Sequence, residues 1–197
     1  MSAPAKTSGR EIRSAARKIL EQDGRDSVTM QAVADAVGVR PPSLYKHFAD
    51  RADLLRGLTE DALEDLQRTV ERAARPGLPR ESLERMAAAY RSFALKNPGA
   101  YQLIFAADAP GDAADLKARQ ASAGLLLNIL TEVIGPHSAL PAARTLVAFL
   151  HGFVMMEMSG LFRLGGNVGE AFGFGLKTIL DAILALRTKD RQPYQNQ

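Results

Sequence analysis

An all-α protein of about nine helices is what this 197-residue sequence predicts. Three observations carry it. Apolar residues recur at helical spacing along nearly the whole chain, Pro, Gly and Asn stand where helices would start or stop, and no segment reads as a credible strand. The first helix opens at Ser8, which forms a capping-box pattern with Glu11; Ile12, Ala16, Ile19 and Leu20 follow until Asp23-Gly24 closes the segment. Thr29 caps a second helix with Met30, Val33, Ala34 and Val37 on one face, and Gly38 ends it, because glycine accepts a left-handed backbone without a Cβ clash. Pro41 and Pro42 suit the first turn of a third helix, about two turns long over residues 40–47, where no amide hydrogen is needed. Helices this short hold only by packing, so Val39, Leu44 and Phe48 are expected against Val33, Val37 and the first helix. Small Ala34 facing Gly38 lets the pair cross closely, at the large angle of a helix-turn-helix.

Beyond Phe48, Asp50 caps a long helix to about Arg75 with Leu54, Leu55, Leu58, Ala62, Leu66 and Val70 on its apolar side, and Arg75-Pro-Gly-Leu-Pro breaks it. A helix over 79–95, a short one capped by Asn97-Pro98 and running to about Ala107, one over 112–134 and two over 141–162 and 167–187 complete the count. The stretch from Leu146 to Phe162 is apolar nearly all round, so it should be covered on several sides. The last helix presents Phe172, Leu176, Ile179, Leu180, Ile183 and Leu184, more than one small domain needs. These two helices are therefore expected to pair with their copies in a second subunit as a four-helix bundle, the alternative being an unusually apolar monomer core. The expected domains are 1–57, with the helix-turn-helix at 29–48, and 58–187; residues 1–7 and 188–197 are polar, unpatterned and expected to be loose.

Composition narrows the function classes. Residues 1–57 hold ten Lys and Arg against seven Asp and Glu, and the rest of the chain fifteen against fifteen, so all the net positive charge sits at the N-terminal end. A surplus of three is small, and phosphate binding should rest on placed groups and paired subunits more than on a general field. The absence of cysteine excludes disulfides and thiolate metal sites. No apolar run approaches membrane-span length and the N-terminus lacks a signal-peptide core, so a cytoplasmic protein without membrane contact is expected. His47, His137 and His151 have no metal-ligand spacing, and no cofactor is expected. Gly173-Phe-Gly-Leu-Lys-Thr lacks the spacing and the preceding strand of a phosphate loop, and no nucleophile motif is present, which argues against an enzyme.

Residues from Ser8 to about Leu58 resemble the N-terminal domain of the TetR family of transcriptional regulators. The resemblance lies in Thr29, Ala34, Gly38-Val39, Leu44-Tyr45-Lys46-His47-Phe48 and Asp53-Leu54-Leu55. It implies a homodimer that lays the 40–47 helix of each subunit into successive major grooves of a palindromic operator on double-stranded DNA. Arg40, Pro42, Ser43 and Lys46 would then face base edges, with Pro41 shaping the entry and making apolar contact. By the same resemblance Tyr45, His47, Thr29 and Arg51 belong to the phosphate-binding set.

His151-Gly152-Phe153 with Glu157 resembles one type of C-terminal ligand domain in that family, although Val147 stands where a tryptophan is usual. The resemblance implies a cavity for a small apolar effector. Its candidate wall is Met86, Tyr90, Phe93, Tyr101, Phe105, Leu126, Leu127, His151, Met155 and Met158, each of which also fits an ordinary core position. His151 and Glu157 lie six residues apart, about 600° around a helix, and should not pair directly. The implied function is a transcriptional repressor released by its ligand. An activator or architectural factor whose C-terminal half only dimerises is the other class that these residues permit.

Overall fold

The computed structural model describes residues 8–74, 77–106 and 113–186, with backbone alone for 113–123. The described residues form α1 (Gly9–Asp23), a 3-10 turn (Arg25–Ser27), α2 (Met30–Ala36), α3 (Pro41–Leu44), α4 (Arg51–Ala73), α5 (Pro79–Lys96), α6 (Pro98–Ile104), α7 (Ala113–Ile134), α8 (Pro136–Met158) and α9 (Val168–Ala185), and no strand. They fall into two compact units. One takes the described residues of 1–65 and 97–118, the other those of 66–96 and 119–197, so that α4 begins in the first and ends in the second.

In the first unit α1 forms both halves of its capping box. The Glu11 amide donates to Ser8 Oγ at 3.2 Å and the Ser8 amide to Glu11 Oε2 at 2.8 Å; this second bond, with one from the Ser8 hydroxyl to the same carboxylate oxygen at 3.1 Å, holds the Glu11 carboxyl below its ordinary pKa. Ile12, Ala16 and Leu20 of α1 pack with Val28, Val33, Ala34, Leu44 and Phe48, and Met30 and Val39 join from the edge, as the spacing predicts. Val37 is only half-buried and caps α2. Gly38, at φ 72°, closes α2 by bonding its amide to the Asp35 carbonyl at 3.2 Å, while Val39 N–H reaches the Ala34 carbonyl at 3.0 Å. This paired closure needs a left-handed residue at its centre, which only glycine supplies without strain.

The third helix is shorter than two turns. After one α-turn at Pro41–Leu44 the chain tightens, with the Leu44 carbonyl accepting from His47 N–H at 2.8 Å and from Phe48 N–H at 3.0 Å. At the start of α4 the expected Asp50 cap forms, Oδ1 accepting the Asp53 amide at 2.8 Å, and Asp53 Oδ2 takes the Ala49 amide at 2.9 Å in return.

α6, assigned from sequence to the C-terminal domain, packs on α1 within the first unit. The expected Asn97 cap does not form. Asn97 Oδ1 instead accepts from Arg17 Nη2 at 3.4 Å, and the Glu21 carboxylate of α1 takes the Gly99 and Ala100 amides at 2.8 and 3.1 Å. A carboxylate suits that site because it satisfies two orphan amides beside the positive end of the helix. α6 closes at Ile104, short of Ala107, which lies outside the described residues.

In the second unit Leu83, Met86, Leu130, Leu146, Leu150, Phe172, Leu176 and Leu180 form the core. α8 begins at Pro136, not at Pro141. Pro136 occupies the first turn after Gly135 (φ 84°), and Pro141 sits inside the helix near its start, forfeiting one backbone bond there. α8 is also the one described helix long and apolar enough to cross a membrane by length and composition, which corrects the expectation that no run approaches that length: its polar residues are too scattered to lower the mean hydropathy of its best window below 1.4. It packs here against α5 and α9. Asn167 caps α9, its Oδ1 accepting the Gly169 and Glu170 amides at 2.8 and 3.2 Å.

Candidate nucleic-acid interface

The turn after Gly38 divides its residues cleanly between inside and outside. Leu44 is fully buried and Phe48 nearly so, which anchors the segment to α1, α2 and α4. Of the residues between and before them, Val39 packs at the edge of that core and most of the others point away from it. Arg40, Pro42, Lys46 and His47 are exposed, Tyr45 is 54% exposed, and Pro41 and Ser43 are half-buried. Among the described residues the side chains of Arg40, Tyr45, Lys46 and His47 make no intramolecular hydrogen bond or ion pair, so their donors are available to an outside partner. His47 lies beside Gly9 at the start of α1, where a Cβ on that glycine would stand 3.8 Å from Nδ1.

Thr29 is exposed at the start of α2. Its hydroxyl oxygen accepts the Ala32 amide at 3.0 Å, so the cap forms and the hydroxyl hydrogen remains to donate. Arg51 differs from the rest of the set. Its Nε donates to the Val28 carbonyl at 2.6 Å and Nη2 to the Arg25 carbonyl at 2.7 Å, which commits much of the guanidinium to the backbone of the 3-10 turn. A cationic fork closing on two main-chain carbonyls 23 and 26 residues earlier leaves no periodic trace in a sequence.

The ten residues named for a ligand cavity are divided between the two units. Tyr101 and Phe105 belong to the first unit, with their rings 5.0 Å apart, and the other eight to the second. Tyr101 is fully buried, Met86, Phe93 and Leu126 are at most 9% exposed, Tyr90 and Leu127 pack at the edge of the core, and Met155, Met158 and His151 are half-buried. Burial pushes the His151 imidazole below its ordinary pKa. His151 and Glu157 do not pair. Glu157 receives both Nε and Nη2 of Arg91, the first at 2.7 Å, and the Arg91 guanidinium also lies 5.0 Å from the Phe172 ring centre. The pair joins α5 to α8, and sequence reasoning missed it because no spacing rule links residues 66 positions apart. A surface groove of about 390 Å³ is lined by none of the ten: its walls are His137, Ser138, Pro141, Ala142, Thr145, Ala182, Ile183 and Leu186.

The apolar surplus on the last two helices is distributed differently from expectation. Phe172, Leu176, Leu180 and Ile183 are consumed in the subunit's own core, with Ile179 and Leu184 half-buried. What stays exposed is a stripe of small and apolar residues: Leu140, Val147, Ala148, Gly152 and Met156 on α8, and Ala171, Phe174, Thr178 and Ala182 on α9.

Similarity to known proteins agrees with this geometry. Residues 12–58 match the family model for bacterial regulatory proteins of the tetR family, and residues 83–179 the model for the tetracyclin repressor-like C-terminal domain. The chain is 32% identical over 160 residues to the uncharacterized HTH-type transcriptional regulator Rv0681 of Mycobacterium tuberculosis, covering 80% of this chain and 73% of that one. A solved structure of a protein of unknown function from Rhodococcus sp. RHA1 superposes with a TM-score of 0.81 at 29% identity, over 92% of this chain and 98% of that one. The fold is shared too with a single-residue variant of TetR from Acinetobacter baumannii AYE in complex with minocycline, at a TM-score of 0.67, 24% identity and coverage of 89% and 96%. The α2–α3 motif is thus a DNA-binding helix-turn-helix, and the chain belongs to the TetR family of transcriptional regulators.

Proposed function

We propose that this chain works in the cytoplasm as a homodimeric repressor that reads a palindromic operator and releases it on binding a small apolar ligand. The observation that carries the reading is the division at α3. Leu44 and Phe48 are buried while Arg40, Pro42, Tyr45, Lys46 and His47 face out with unengaged side chains. Arg40 and Lys46 suit guanine edges, the Pro42 ring a thymine methyl, and Tyr45, His47 and Thr29 the flanking phosphates. The exposed stripe on α8 and α9 supports pairing, since small residues allow the close helix approach that a four-helix interface needs. Selection of bound duplexes from a random DNA pool tests the proposal. The expected product is a palindrome with half-site centres about one helical turn apart; an unpaired motif, or no enrichment, would refute it.

Ligand release is supported by the fold shared with a minocycline-bound protein and by the path of α4, which passes from one compact unit to the other. A coupling of about 1 to 3 kcal/mol lowers operator affinity about 5- to 150-fold. One observation favours a second reading, in which the C-terminal half only dimerises: Met86 and Leu126 are at most 9% exposed and belong to the packed core of the second unit. Thermal stabilisation by apolar compounds, together with lowered operator affinity, separates the two.

A further inference from the structure

We infer that Arg51 is a positioning residue for DNA binding, holding the start of α2 against the start of α4, and is not itself a phosphate ligand. The inference rests on the DNA-binding reading of the α2–α3 motif and adds a device to it. Thr29 uses its hydroxyl oxygen to accept the Ala32 amide at 3.0 Å. That is the amide a helix extended by one residue would give to the Val28 carbonyl, so the carbonyl of the fully buried Val28 loses its regular partner. Arg51 supplies the replacement through Nε at 2.6 Å, while Nη2 reaches the Arg25 carbonyl at 2.7 Å. Both bonds have the short length of a charged donor.

The two carbonyls bracket the 3-10 turn, and Thr29 follows the second of them directly. Arg51 is the first residue of α4, next to Asp50, which caps that helix. The fork therefore fixes the Thr29 hydroxyl and the first amides of α2 relative to the N-terminus of α4. A side chain spent on two backbone carbonyls is poorly placed to grip a phosphate as well, unlike Arg40 and Lys46, which are exposed. Lysine separates the two roles. It carries the same charge and serves a phosphate as a point donor, but one ammonium cannot reproduce a two-pronged bond.

The test measures binding of the full chain to a short duplex of mixed sequence by fluorescence anisotropy across a salt series, for the parent, Arg51→Lys and Arg51→Gln. Hydrogen exchange of the free proteins is followed at the same time. Positioning predicts that both variants lose about tenfold in affinity with the slope of log K against log salt unchanged. Exchange should quicken at Thr29–Ala32 while α1 keeps its protection. A lysine variant that binds as the parent does, or a glutamine variant whose slope is shallower by about 0.9 for each lost phosphate contact, would make Arg51 a phosphate ligand and overturn the proposal. Loss of protection in α1 as well would make it a general stability residue, with the same consequence. If the parent binds no duplex the DNA-binding reading itself fails; if the parent binds and both variants match it, that reading stands and the role of Arg51 falls.

Discussion

A single side chain in the recognition segment has one of two tasks, and burial tells which. Lys46 is exposed and makes no intramolecular hydrogen bond among the described residues, so Lys46→Ala should alter sequence preference or operator affinity by about 1 to 3 kcal/mol. Tyr45→Phe removes only a hydroxyl from a ring that is 54% exposed, and should weaken all duplexes alike. Binding titrations on a matched and a mismatched duplex check both; undiminished binding by both variants would contradict the assignment. His151 makes a different expectation. Its pKa is lowered by burial, so between its folded value and the ordinary 6.5 the unfolded chain holds more protons than the folded one, and stability rises with pH through that window. Protonating this partly buried ring destabilises the fold below that window, and the contribution is fully present above about pH 6.5. Thermal melts of the parent and of His151→Gln from pH 5 to 8 measure it, and the variant should show the flatter profile.

Among the helices, α6 shows how a contact without a sequence signature decides where an element goes. Its Gly99 lies so close to α1 that an added Cβ would stand 2.6 Å from the Leu20 carbonyl oxygen, a backbone atom that cannot swing away. Gly99→Ala should therefore force α6 off α1 and cost about 1 to 3 kcal/mol, as overpacking does. At about 2 to 4 °C per kcal/mol for a chain of this size, calorimetry should record a clear fall in Tm. An unchanged Tm would mean that α6 can shift without loss. Much of the helical framework was legible beforehand, because caps and periodicity are local: Ser8 with Glu11, Thr29 and Asp50 all cap where they were expected. Asn97 did not, since the choice between its side chain and the distant Glu21 depends on where α1 lies.

The molecule as a whole leaves Phe174 75% exposed on α9, amid small residues, and Val147 and Met156 exposed on α8. Large exposed apolar patches are uncommon on monomers, so a second copy of this chain should cover this one. Phe174→Arg should lower the mass seen by light scattering at micromolar concentration from two chains to one. It should also reduce affinity for a two-half-site duplex far more than for a single half-site, because the linked second binding event is lost. A parent protein of single-chain mass at that concentration would defeat the dimer and the palindrome together.

The sequence by itself determined the helical class, the glycine-centred turn and which residues of the recognition segment anchor and which face out. Those properties follow from periodicity, capping and φ preference within a few residues. Only the tertiary structure decided that Arg51 bonds to the backbone of Arg25 and Val28, that Glu21 caps α6, that Arg91 is the partner of Glu157, and that Phe172 and Leu176 are consumed in the subunit's own core. The reason is one of range. A hydrogen bond or a close approach between residues 20 to 80 positions apart depends on where whole helices come to rest, and no local spacing encodes that.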